Sequence, residues 1–195
     1  MTYLDIEDEA NKFLDKYYPS GIPPVPVDEI AEFDLGLSIV TKKGLFQAEA
    51  IDAYLTSDLA ELHIDEDYYM DQTNRGRFTI AHEIGHYVLH QEHVRKATSV
   101  REWKKAILGE GTGRAYLETE ADSFAGCILM PRGLVVKEFN EQKTKAKNLF
   151  KKSNMKMPDD DSLLPFIANK VCIPFQVSSI AAQFRLERIF KIPRM

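Results

Sequence analysis

One string in the chain sets metal-binding and proton-transferring side chains at a working spacing: Phe78-Thr-Ile-Ala-His82-Glu83-Ile-Gly-His86-Tyr-Val-Leu-His90. On an α-helix, residues four apart lie on the same face, separated by a rise of about 6 Å. Two imidazoles so placed converge on one tetrahedral ion, with Zn–N distances of about 2.0–2.1 Å. Glu83 follows the first histidine directly. It lies off the ligand seam and overhangs the ion's open position, where a general base takes a proton from activated water. The chemistry this predicts is amide hydrolysis, with Glu83 returning the proton to the leaving amine.

A catalytic zinc needs three protein ligands and one open position. A third histidine six residues after the second, reached through a glycine bend, is absent: those positions hold Glu92 and Leu89. The segment Glu118-Thr-Glu-Ala-Asp122 supplies another solution. Glu118 and Asp122 share one helix face, so Glu118 ligates while Asp122 accepts a hydrogen bond from a ligand histidine and fixes its tautomer. Glu120 points about 200° away from Glu118. The expected metal set is therefore His82, His86 and Glu118, with Glu120 as the alternative third ligand. Tyr87, His90, Tyr116 and Arg114 are the candidates for an oxyanion donor. His90 continues the histidine seam but drifts about 40° per step, and reads as a histidine favoured by the helix dipole, with support of a ligand from behind as the alternative. His63 and His93 read as structural or surface residues, and Trp103 as a packing anchor.

These residues need helices and a sheet to position them. Ile6, Ala10, Phe13, Leu14 and Tyr17 have helical spacing, stopped by Pro19 and Gly21. A short helix is expected over 27–33. Strands are expected over 37–40, 45–55 and 60–65, the last with one buried and one wet face. That last strand, or its neighbour, is the expected sheet edge for added substrate. The metal-site helix spans about 76–90 and the acidic helix about 115–130, ending before Pro131. The glycines at 109, 111 and 113 break any helix continuing from the insert between them. Further helices are expected over 132–152, 162–171 and 176–189. The fold class is α+β: a small, mostly antiparallel three-stranded sheet on the metal-site helix, with a helical C-terminal extension.

Composition agrees. The chain has 195 residues, 44% of them hydrophobic, enough to build a core without disulfides or a structural metal. A metal here is therefore expected to be catalytic. The net charge of −5 argues against direct nucleic-acid binding. Residues 1–36 carry nine acids against two lysines, and residues 137–156 carry seven lysines against two glutamates. Such runs read as solvated helix faces. Cys127 and Cys172 form no cluster and read as buried, reduced thiols. No apolar stretch approaches membrane-spanning length, and residues 1–13 lack the pattern of a secretory signal. The expected location is the cytoplasm.

The strings running from Arg77 to His90 and from Glu118 to Pro131 resemble the ImmA/IrrE family of metallopeptidases. The opening Pro24-Val-Pro-Val-Asp-Glu-Ile-Ala31 and the tail Phe175-Gln-Val-Ser-Ser are similar to that family more weakly. Two departures are Cys127, where a small or polar residue is expected, and the long insert at about 94–113. The resemblance implies a zincin-like (gluzincin) fold, Zn²⁺ held by two histidines and a glutamate, and limited proteolysis of a helix-turn-helix repressor in a mobile-element or stress-response circuit. Ligand type alone does not separate zinc from manganese. The expected organisation is a metallopeptidase domain over 1–134 and a helical extension over 135–195 that docks substrate or partner. A competing class, a metal-bound sensor that regulates a repressor by binding without cutting, keeps the ligands but has no need of a base at 83.

Overall fold

A computed structural model of the chain describes residues 1–70, 73–108 and 116–190. Helix α1 (Tyr3–Tyr17) starts at a capping box in which Thr2 and Asp5 satisfy each other's backbone N–H groups. It buries Ile6, Ala10, Phe13 and Leu14. A short helix α2 (Val27–Glu29) runs into a π-helical turn, Ile30–Asp34. Strand β1 (Ser38–Lys42), helix α3 (Leu45–Glu49), strands β2 (Ala53–Leu55) and β3 (Glu61–Asp65), and helix α4 (Glu66–Met70) follow.

The sheet order is β1-β3-β2. It is mixed rather than mostly antiparallel: β1 pairs with β3 in parallel, with Ser38 opposite Glu61, while β2 pairs with β3 antiparallel. Of the expected strand over 45–55 only Ala53–Leu55 forms. Gly44 enters helix α3 with φ +71°, Ala50 leaves it with φ +54°, and the Phe46 N–H donates to the Asp65 carboxylate at 2.9 Å. These local constraints close a helical turn where apolar spacing alone suggested a strand. Strand β3 is central, so it offers no edge and has no wet face: Leu62, His63, Ile64 and Asp65 are all buried.

Helix α5 (Thr73–Leu89) carries the histidine motif, and short helices α6 (Gln91–Val94) and α7 (Val100–Trp103) follow, the latter extended by a π-helical turn Lys104–Leu108. Helix α8 (Tyr116–Leu129) lies against α5 and buries Leu117, Ala121, Phe124, Ala125 and Ile128. The two helices meet at Gly85. A Cβ added there would lie 3.1 Å from both Cα and O of Ala121, tighter than ordinary van der Waals contact.

Helix α9 (Arg132–Lys152) precedes α10 (Asp160–Phe175) and α11 (Ser179–Phe190). Helix α10 continues through Pro174 rather than stopping before it, although the proline has no N–H to give to the helical ladder. The chain turns instead at Gln176, with φ +52°. Arg185 of α11 is buried. It donates to the Met130 carbonyl at 3.0 Å and pairs with Glu7 of α1 at 2.7 Å. Arg132 holds the other Glu7 oxygen at 3.0 Å. Cys127 is buried, as expected, whereas Cys172 is only half-buried. Among the described residues no single helix is long and apolar enough to cross a membrane.

Two glycines of this helix pair should respond oppositely to alanine. Gly85→Ala forces a methyl against the α8 backbone and should lower stability by about 1 kcal/mol or more, an overpacking cost. A Cβ at Gly126 meets nothing within 4 Å, so Gly126→Ala should gain about 0.5–1 kcal/mol from helix propensity. Urea unfolding of the two variants checks both signs.

Candidate metal centre

Helix α5 buries Ile80, Ala81 and Ile84 in the core. That orientation turns His82 and His86 toward α8. Their Nε2 atoms lie 3.0 Å apart. Glu118, in the first turn of α8, brings Oε1 to 3.1 Å from His86 Nε2 and Oε2 to 3.5 Å from His82 Nε2. The three ligand atoms all lie within 4.8 Å of one another, a group that can hold a metal ion. The structure thus brings together the three residues expected as ligands, with Glu83 buried beside them.

The outer nitrogens are already engaged. His82 Nδ1 lies 2.9 Å from Asp122 Oδ1, the contact expected from the four-residue spacing of the acidic helix. His86 Nδ1 lies 2.9 Å from His90 Nδ1, and His90 Nε2 lies 3.0 Å from Glu120 Oε2. Proton positions follow from this network. Asp122 only accepts, so His82 Nδ1–H donates to it. Glu120 accepts from His90 Nε2–H, leaving His90 Nδ1 to accept from His86 Nδ1–H. Nε2 of both histidines, with the Glu118 carboxylate, then faces one point. Lone pairs facing at such distances repel unless a proton or cation lies among them.

The ionisation behaviour of the cluster without metal follows the same logic. Burial opposes charge on His82, but hydrogen bonds to Asp122 and Glu118 outweigh it and raise its pKa to about 10. Burial lowers His86 to about 4. Glu118 resists burial and, through hydrogen bonds with both histidines, is held well below the usual carboxylate range. Burial pushes Glu83 up to about 8, against the pull of His82. Glu83 Oε2 is buried without a hydrogen-bond partner among the described residues. A divalent cation fits this donor set of two imidazoles and a carboxylate.

The cleft over the centre, about 290 Å³, is lined by residues 50–53 around β2, Phe78 and Thr79 of α5, and Trp103, together with His82, Glu83, Glu118 and Asp122. Of the candidate oxyanion donors, Tyr87, His90 and Tyr116 do not line it, and Arg114 falls outside the described residues. Trp103 is a packing anchor, as expected, with its ring edge-on 6.0 Å from that of His86; it also walls the cleft. His63 is buried between Tyr54 and Glu61. His90 takes the less favoured of its two expected readings. It is not a residue placed by the helix dipole but a buried link between a candidate ligand and Glu120. The one signal for it was the repeated four-residue step from His82 to His90.

A family model described as the IrrE N-terminal-like domain, a peptidase family, matches residues 37–187. The chain belongs to that family. The match holds both motif helices and runs to Glu187 in α11, while the opening segment 24–31 lies outside it. Comparison with curated proteins gives no match. As an IrrE N-terminal-like protein, the chain carries a peptidase-type function and a candidate metal centre at His82, His86 and Glu118.

If Glu120 and His90 orient His86 toward a metal, Glu120→Gln and His90→Phe should each weaken zinc binding by about 10–100-fold, the usual effect of removing a group that orients a ligand. Competition with a chromophoric chelator measures it. Unchanged affinity in both variants would show the chain of contacts to be packing alone.

Proposed function

We propose that this protein is a zinc-dependent endopeptidase that performs limited proteolysis. The observation that carries the reading is the convergence of two Nε2 atoms and the Glu118 carboxylate beside a buried, unpartnered Glu83 oxygen. His82, His86 and Glu118 hold the ion in a gluzincin-like arrangement. A bound zinc supplies Lewis acidity, polarising the scissile carbonyl and making water acidic enough to attack.

The chain's own residues do the rest. Asp122 and the His90–Glu120 pair keep the imidazoles in the tautomer that presents Nε2. Glu83 takes the proton from the attacking water and delivers it to the leaving amine. Trp103 and Phe78 wall the cleft and limit water around the reacting bond. Strand β2, on the sheet edge and lining the cleft through Ala53, is the place where an extended substrate adds a strand. The substrate proposed is a helix-turn-helix transcriptional repressor, met in the cytoplasm; its family resemblance supports that choice.

Purified protein should contain about one zinc per chain by elemental analysis, and His86→Ala should lose it. Glu83→Gln should keep the metal while cleavage falls by about 10²–10⁴-fold, the range expected for a general base. Mass spectrometry of new N-termini in a cell extract treated with each form reads the cleavage. Cleavage surviving in Glu83→Gln would remove Glu83 as the base. A zinc-bearing wild type that cuts nothing would favour a protein that regulates its repressor by binding.

A further inference from the structure

A second, larger cleft of about 1000 Å³ opens beside the metal centre. It shares Phe78 and Asp122 with the smaller cleft that contains His82, Glu83 and Glu118, so the two lie side by side along one trough wall. Its lining includes α8 at Gly126, where an added Cβ meets only open space. Helix α11 contributes Ile180 and Phe184, which are 65% and 45% exposed. They are four residues apart and so share a face. That face meets the cleft, while Ala182, Leu186 and Ile189 take the buried side of the same helix. Large apolar side chains gathered at an open cleft mark a binding surface rather than a folding core.

The lining of the larger cleft carries three arginines, Arg75, Arg185 and Arg188, against one carboxylate, Asp122. Arg75 is fixed by Asp52 at 2.8 Å and stacks on the Tyr68 ring. Arg188 lies 5.4 Å from the centre of the Tyr3 ring and has no carboxylate partner among the described residues. A guanidinium so placed is positioned to receive a carboxylate from outside.

We infer that this trough binds the polypeptide being cut, on one side of its scissile bond, by taking an apolar side chain over Gly126 against Phe184 and an acidic side chain at Arg188. The inference rests on the peptidase reading and adds to it a substrate chemistry: a segment pairing Leu- or Phe-like residues with Asp or Glu. The shared walls at Phe78 and Asp122 place that segment within a few residues of the bond above Glu83.

Binding tests this apart from turnover. Fluorescein-labelled peptide pools are titrated with zinc-loaded Glu83→Gln protein and read by fluorescence anisotropy. One pool carries Leu, Phe, Asp and Glu at its varied positions; the other replaces the acids with Lys and Arg. The acidic pool should bind about tenfold tighter or more. Gly126→Leu, whose side chain occupies the open space, should weaken binding about tenfold, the scale of a lost apolar subsite. Arg188→Glu should reverse the preference between pools. Gly126→Ala is the control for the backbone change, and zinc content reports an intact centre in each variant. Equal affinity for the two pools overturns the inference. So does an unchanged affinity in both Gly126→Leu and Arg188→Glu, or the absence of binding. Failure of the peptidase reading looks different: the wild type then binds the acidic pool but cuts none of it.

Discussion

The candidate metal centre depends on how closely α5 and α8 can approach. Packed helices usually keep their axes about 8–10 Å apart because side chains stand between them. Here Gly85 removes the intervening side chain, and the α8 backbone at Ala121 moves into the space. The contact falls within the ligand set. On α5 it lies between His82 and His86, and on α8 it lies between Glu118 and Asp122. One close approach therefore delivers a carboxylate to the inner nitrogens and a second carboxylate to an outer nitrogen. A bulkier residue at 85 would lengthen every one of these distances together.

The centre is also held from behind. Asp122 fixes one imidazole, and the His90–Glu120 pair fixes the other. Neither imidazole can rotate to relieve the crowding at Nε2 without breaking a hydrogen bond. Burial keeps Glu83 from ionising readily in the absence of a cation, and a nearby positive ion reverses that preference. The candidate ligands and Glu83 thus form one electrostatic unit, in which the charged form of Glu83 would be favoured with an ion in place.

Much of this was written in short-range spacing. The four-residue steps His82–His86 and Glu118–Asp122 need only a helix to take effect, and both segments are helices. Assigning Glu118 rather than Glu120 to the inner face followed from helical angle alone. The features that escaped depend on partners distant in sequence. Helix α3 forms where a strand was expected because Asp65, 19 residues away, accepts its backbone N–H. The mixed sheet arises because β1 reaches past β2 to pair with β3. His90 finds its role only when Glu120, 30 residues on and off the ligand face of its own helix, arrives from α8. Cys127 of α8, which departed from the family pattern, is simply packed in the core.

Arg185 ties α11 to the end of α8 and, through Glu7, to α1. Breaking a buried pair of this kind leaves an uncompensated charge and costs several kcal/mol. The wall carrying Ile180 and Phe184 is therefore a fixed surface, poorly suited to mould itself around a visitor. Adaptation falls to the incoming chain, which must already be extended or loosely structured to lie along it. On the proposed peptidase reading, a rigid receptor of this type would pass over a well-folded protein and take the same protein once a linker or hinge within it opens.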